Sequence, residues 1–246
     1  MNTFFKVRTY IFALSMQRIS IIIPTYNEAD TIGILVKFLL ENSDSTNVEV
    51  LISDGGSMDG TMEIAAKAGA VTFLSPHKSR AAQMNYGASK AIGDVLYFVH
   101  ADSLPPANFI KDITKAIEEG FEIGRYRTKF NSNKWLLKLN AFFTRFDWFI
   151  CYGGDQTLFM SQKLFNAIGG FNDKMLLMED YEIVVRARKR ARYKILTNTA
   201  LLSARKYEAN SWLKVQKANS IMVRMYKNGA SQQEMVDAYK QMLVYR

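Results

Sequence analysis

Residues 19–28 read ISIIIPTYNE and residues 48–56 read VEVLISDGG. In the first, Ile19 to Ile23 form a short, β-branched apolar run closed by Pro24, the pattern of a strand buried on both faces. The second repeats the pattern from Val48 to Ile52, and a turn, Ser53 to Gly60, follows it. Between the two, Ile32, Leu35, Val36, Leu39 and Leu40 recur at helical spacing, with Asn27 or Asp30 available as the N-cap. The alternation continues: a helix from about Thr61 to a left-handed C-cap at Gly69, a strand Val71 to Leu74, a loop Ser75 to Ser79, a helix from about Arg80 to Ile92, and a strand Val95 to Val99. Pro105 and Pro106 introduce another helix, with Phe109, Ile113, Ala116 and Ile117 on one face. Strands that are continuously apolar and alternate with helices predict an α/β fold whose doubly wound, mostly parallel sheet is covered on both faces.

The second half is less regular. The pattern predicts a strand Phe121 to Phe130, an apolar helix Lys134 to Phe149, a strand Thr157 to Met160, a helix from Glu179, strands near Tyr193 and Leu201, and two C-terminal helices. The last of these begins at Ser231, with Glu234 at capping-box spacing.

The chain has 246 residues, 48% hydrophobic and 22% charged, with 32 Lys plus Arg against 23 Asp plus Glu. This composition excludes disorder as the main theme, and the length allows one large α/β domain or a domain with an appendage. The single cysteine, Cys151, makes no internal disulfide and points to a reducing, cytoplasmic compartment. No run reaches the ~18 apolar residues of a membrane-spanning helix, and Tyr10 to Leu14 is too short for a signal-peptide core. Residues 1–15 read as an N-terminal extension from an upstream start codon, because ordered patterning begins just after Met16. The net charge of +9 suits a nucleic acid, a membrane surface or a phosphorylated small molecule, and does not choose among them.

In an open parallel α/β sheet, ligands bind beyond the carboxyl ends of the strands. The loops there carry Pro24, Tyr26 and Glu28; Asp54 with Gly55 and Gly56; His77, Lys78 and Arg80; and His100, Ala101 and Asp102. Asp54 reads either as an ordinary turn residue or as an acceptor for a nucleobase N–H, with Tyr26 packed on the ring. Asp102 reads as a solvated strand-end carboxylate or as an oxygen ligand for Mg2+ or Mn2+ held jointly with a diphosphate, which Lys78 and Arg80 would also meet. Glu179 and Asp180 suit the dipole of a helix start, and a carboxylate at that place also suits a general base. No G-x-G-x-x-G and no P-loop follow the first strand.

The runs SIIIPTYNE, VLISDGGSMDGT, GDVLYFVHAD and GGFNDKMLLMEDYEIVVRAR, in that order, resemble the family 2 glycosyltransferases of the GT-A fold over residues 18–207. RAAQMNYGASKAIGD, GGDQ and SARKYE are similar to a bacterial subgroup called radical-SAM/selenodomain-associated transferases, linked to arsenosugar-type biosynthesis. The resemblance implies a catalytic domain over 16–208, with a Rossmann-like nucleotide-sugar half (16–104) and an acceptor half (105–208), followed by a helical appendage (209–246). It implies that Pro24, Tyr26 and Glu28 contact the nucleoside, with Asp54 and Gly55 at the base. Arg80 and Asn85 would lie near the ribose or phosphates, Ala101 beside them, and Arg205 would close over the diphosphate. Asp102 would be the metal carboxylate, Asp180 the base with Glu179 its neighbour, and Gly154, Asp155 and Gln156 the acceptor wall. The family's usual Asp-x-Asp is replaced here by His100-Ala101-Asp102, one negative charge fewer, which puts metal dependence in question.

The implied reaction is inverting transfer, hexosyltransferase-like, from a nucleoside-diphosphate sugar to a hydroxyl acceptor. Competing readings are a nucleic-acid-binding module built on Arg186, Arg188, Lys189, Arg190, Arg192 and Lys194, and a nucleotidyltransferase. The cationic cluster reads first as a solvated helix face ending in cations that suit its C-terminal dipole. The aromatic segment WLLKLNAFFTRFDWFI reads as core, as a homodimer contact, or as an in-plane helix at the inner membrane surface.

Overall fold

The computed structural model describes residues 17–43, 46–153 and 156–244. The proposed 1–15 extension, Gly154 and Asp155 therefore lie outside the described residues. The first half follows the expected alternation: β1 (Ile19–Thr25), α1 (Ala29–Glu41), β2 (Val48–Asp54), α2 (Thr61–Lys67), β3 (Val71–Leu74), α3 (Arg80–Lys90), β4 (Val95–Phe98), β5 (Ser103–Leu104) and α4 (Phe109–Glu118). The second half contains β6 (Ile123–Phe130), α5 (Trp135–Phe143), a 3-10 turn (Phe149–Cys151), β7 (Leu158–Ser161), α6 (Gln162–Ile168), α7 (Glu179–Ala187), β8 (Tyr193–Leu202), α8 (Lys206–Ala209), α9 (Trp212–Lys227) and α10 (Gln232–Met242).

One sheet of eight strands runs in the order β3-β2-β1-β4-β7-β6-β8-β5. The strands from β3 to β4 are parallel, with Thr25 opposite Asp54 at the carboxyl ends of β1 and β2. β7 enters antiparallel between β4 and β6, so β6 and β8 point the same way as β1 and end on the same edge. The side-chain alternation of β1 decides the layers. Ile19, Ile21 and Ile23 pack with α1 and α4 on one face, and Ile22 packs toward α3, α6 and α7 on the other. A third apolar cluster joins α9 and α10 to Leu177, Met178 and Tyr207, so the C-terminal helices bear on the approach to α7.

Four local expectations are corrected. The cap of α1 is Glu28 rather than Asn27 or Asp30; Asn27 has a φ of 53°, and Asp59 accepts from the Ala29 N–H across the chain. β3 is an edge strand with Val71 and Leu74 exposed, not one buried on both faces. The strands near Tyr193 and Leu201 are one strand, whose pairing with β6 shifts register between Tyr126 and Arg127. The apolar helix stops at Phe143 instead of Phe149, because side chains take its terminal carbonyls. The Thr144 hydroxyl donates to Ala141, Arg145 Nε to Phe142, and the buried Arg125 guanidinium to Thr144 and Phe146. The Ser231–Glu234 capping box is present as expected.

Candidate active site

The carboxyl ends of β1, β2 and β4 meet the segment after β8 and the start of α7. Asp54 is fully buried, and its carboxylate is saturated. Oδ1 accepts from the Gly56 and Ser57 N–H groups at 2.8 and 2.7 Å, and Oδ2 from the Thr25 and Ser57 hydroxyls at 2.7 and 2.6 Å. A carboxylate has about four acceptor positions, so contact with a base edge requires Ser57 to turn away. The Asp54 turn is zipped to the first loop. Asn27 N–H donates to Ser57 Oγ, Met58 N–H to Asn27 Oδ1, and Glu28 N–H to Thr61 Oγ1. The Thr61 hydroxyl, aided by the Ala29 N–H, holds the Asp59 carboxyl below its ordinary range.

Gln83 of α3 was not singled out by the sequence. Its buried amide donates to the Thr25 carbonyl at 2.7 Å and to the Ser53 carbonyl at 2.8 Å, locking β1 to β2 beneath the site. A Cβ on Gly55 would stand 3.2 Å from that amide, so the glycine lets the loop lie over it. Nothing in the RAAQ pattern marks this residue; only the fold brings it there.

Tyr26 is half-exposed beside the cleft, with Lys78 Nζ 3.4 Å from its ring centroid. The hydrogen bond and charge of Lys78 hold the phenol below its ordinary value. Arg205, arriving after β8, lies between the first and fourth loops. Its Nη2 is 3.1 Å from Glu28 Oε2 and 3.1 Å from Asp102 Oδ2, and Nη1 is 3.2 Å from Glu28. Partial burial lowers the guanidinium's proton affinity, but Glu28 and Asp102 outweigh it and hold the group above its ordinary value. Asp102 is itself tied to this segment by Ser203 N–H donating to its carbonyl. His100 and Ala101 are buried behind it, and Pro24 forms part of β1.

Opposite lies the start of α7. Met178, with a φ of 68°, turns the chain so that Glu179 is buried and Asp180 is half-buried at the helix start. Arg80 Nη1 is 3.3 Å from Glu179 Oε1, so the first residue of α3 faces a carboxylate of α7. The Gln232 side chain of α10 accepts from the Leu176 and Leu177 N–H groups, fixing the approach. Behind Asp180, Tyr181 donates to the Ile150 carbonyl; burial, then the Asp180 charge, pushes its phenol up to about 12. Gly153 packs so closely that a Cβ there would fall 1.7 Å from the Tyr181 ring. Gln156 donates to the Cys151 and Gly153 carbonyls, which orders this wall.

Asn85 stands apart from the other expected residues. Its side chain is spent on the Phe171 N–H, the Phe171 carbonyl and Asp173, so it pins the loop after α6 rather than facing the cleft.

The residues around Asp102 can be tested against the expected divalent cation. Asp102 and Glu28 offer hard oxygen donors, but the Arg205 guanidinium stands between them. Among the described residues no three His, Cys, Asp or Glu side chains gather at one point. The donor set does not fit a resident metal while Arg205 is in place.

A family profile described as Glycosyl transferase family 2 matches residues 20–172. The chain belongs to this family. A curated relative, an undecaprenyl-phosphate 4-deoxy-4-formamido-L-arabinose transferase of Aeromonas hydrophila, is 27% identical over 129 residues, covering 49% of this chain and 40% of the relative. One of the same description from Edwardsiella ictaluri is 29% identical over 119 residues, covering 44% and 36%. The matches thus span about two fifths of these relatives. Among solved structures, the Pyrobaculum calidifontis mannosyltransferase in complex with GDP-Man and Mn2+ superposes with a TM-score of 0.67 at 15% identity, covering 92% of this chain and 70% of its own. Staphylococcus aureus TarS 1–349 with UDP gives 0.65 at 18% identity, with coverage of 92% and 70%. The family 2 chain therefore has the GT-A fold, a Rossmann-like α/β arrangement with a mostly parallel sheet. The profile ends before Glu179, Asp180 and Arg205, which join the site through the fold.

Proposed function

We propose that the protein is an inverting glycosyltransferase that moves a sugar from a nucleoside-diphosphate sugar to a hydroxyl acceptor. The observation that carries this reading is convergence. The Asp54 turn and the Glu28–Arg205–Asp102 cluster lie at one sheet edge, and Arg80, the first residue of α3, ties the Glu179–Asp180 helix start to it. The solved neighbours described with GDP-Man or UDP support a nucleotide donor.

Asp180 is the proposed base: half-buried, at a helix start, it takes the acceptor proton as the hydroxyl attacks the anomeric carbon. Arg205 is the proposed counter-charge for the departing diphosphate, exchanging its carboxylate partners for phosphate oxygens, to which guanidinium binds in bidentate fashion. Arg80 positions Glu179 and presents a second cation. Gln156, together with Gly154 and Asp155, belongs to the proposed acceptor wall. The Asp54 turn and Tyr26 form the proposed nucleoside end. Mn2+ accompanies GDP-Man in the mannosyltransferase and UDP in a Mycobacterium tuberculosis glucosyl-3-phosphoglycerate synthase. For this chain Arg205 is proposed to supply positive charge at that place.

The finer proposals are a hexosyl donor, a cytoplasmic site of action, and membership of the radical-SAM/selenodomain-associated subgroup, supported by RAAQMNYGASKAIGD, GGDQ and SARKYE. The nucleic-acid reading loses its footing because five of its six cations are engaged. Arg186 pairs with Glu182, Arg188 with Asp147 and Lys194 with Glu119, while Arg190 and Arg192 donate to carbonyls.

The deciding experiment is donor turnover with Asp180→Asn. Loss of the base lowers kcat by about a hundredfold to ten-thousandfold while nucleoside-diphosphate binding persists. Unchanged turnover in the folded variant overturns the assignment.

A further inference from the structure

A cavity of about 440 Å³ opens between α5 and the β6–β8 pair, apart from the donor cleft. Its polar lining is one-sided: Arg127, Lys129, Lys138 and Arg145 supply cations, Thr128 and Asn133 supply neutral donors, and no carboxylate lines it. Four cations gathered without an acid repel one another, and an anion with several acceptor oxygens seated among them removes that repulsion.

Phe142, which lines the cavity, belongs to an exposed apolar row on α5. Trp135, Leu139, Phe142 and Phe143 recur on one side of α5 and all face solvent. The row continues without a gap: Phe143 is 6.0 Å from Trp148, which stacks on Phe146 at 4.7 Å, and Arg145 lies 3.9 Å over the Phe142 ring. Residues 123–146 carry six cations and no acid. Aromatic rings beside cations, with a pocket of donors behind them, match the boundary of an anionic bilayer, where rings sit at headgroup level and phosphates lie just outside.

We propose that this face docks on an anionic phospholipid surface, with one lipid phosphate seated in the Arg127–Lys138 cavity and the α5 aromatics in the interface. The same segment leads into the acceptor wall. Ile150 receives the Tyr181 hydroxyl next to Asp180, and Gln156 grips Cys151 and Gly153. Docking therefore turns the mouth of the cleft toward the bilayer and supplies acceptors carried at its surface. The docking itself does not rest on the role assigned to Asp180.

The test is flotation of the full chain with phosphatidylcholine vesicles, with and without 30% phosphatidylglycerol, at about 0.1 M salt. The wild type floats with the anionic vesicles alone, and its tryptophan emission shifts to the blue. K129Q/K138Q/R145Q weakens binding on the order of a hundredfold, since each cation near an anionic surface contributes roughly a factor of five to ten. W135S/F142S also weakens it, and both variants keep the wild-type thermal shift with UDP or GDP, which reports the donor cleft separately. Wild type that stays unbound, variants that float equally well, or a lipid-independent dimer abolished by W135S/F142S would each overturn the proposal.

Discussion

Replacing Arg205 by Gln should change what the donor cleft attracts. The guanidinium is shared by Glu28 and Asp102, each 3.1 Å from Nη2, so without it those carboxylates face each other no more than about 6 Å apart. At that separation two like charges repel by roughly 3 kcal/mol at an effective dielectric of 20 and less than 1 kcal/mol in water. Arg205 is about half exposed, with Glu28 and Asp102 about three-quarters covered, so the realistic value is about 1–2 kcal/mol. A diphosphate entering the variant meets that repulsion and loses its guanidinium contact, so UDP or GDP should bind about tenfold to thirtyfold more weakly. The empty pair of carboxylates is also a better cation site than before. Mn2+ should therefore tighten nucleotide binding to Arg205→Gln by a larger factor than to the wild type. Isothermal titration of both proteins, with Mn2+ and with chelator at fixed ionic strength, measures all four affinities. A wild type whose nucleotide binding vanishes under chelator, alongside a variant of equal affinity, would refute the idea that arginine does this work.

Three further outcomes follow from local geometry. Asp54→Ala strands two backbone N–H groups and two hydroxyls and should cost about 3–5 kcal/mol in urea denaturation; a loss under 1 kcal/mol would show that the turn stands without its carboxylate. Gly153→Ala forces the Tyr181 ring aside beside Asp180, so kcat should fall at least tenfold while donor affinity holds; unaltered turnover would separate this packing from catalysis. Cys151 is buried with its thiol pushed up by burial, so iodoacetamide at pH 8 should label it far more slowly than a free thiol, and labelling should reach the free-thiol rate only in denaturant.

The parallel half was legible because its strands are short β-branched runs, and such runs have few places to go other than a sheet covered on both sides. That the loops after those strands share one edge of the sheet was legible for the same topological reason. The pairing of Arg205 with Glu28 was not: 177 residues separate them, and no local pattern encodes the register of β8 that brings Arg205 to the first loop. The end of α5 was misread because its continuation still carries Phe146, Trp148 and Phe149, while the cause of its stopping, a buried Arg125 reaching the carbonyls of Thr144 and Phe146, is tertiary. Gln83 was invisible for a similar reason, since its work is to bridge two strand ends that only the finished sheet sets side by side.

The charge of +9 takes its meaning from where its partners are. The cations from Arg186 to Lys194 looked most like a polyanion site, yet they are largely neutralised by Glu182, Asp147 and Glu119 or turned to backbone carbonyls. Of those from Arg125 to Arg145, Arg125, Lys134 and Arg145 donate to backbone carbonyls, but the stretch holds no acid and, among the described residues, none of its six cations forms an ion pair with a carboxylate. Unneutralised charge therefore collects on the face that also exposes the aromatic row, while the donor cleft holds a balanced set in which each arginine already faces a carboxylate. A balanced cleft that takes a diphosphate would do so by exchanging partners, which depends on geometry and little on salt. An unbalanced face attracts a surface over a Debye length of about 10 Å and loses that attraction as salt rises. The two proposed sources of affinity are thus physically distinct, and the sequence-wide charge is the sum of both.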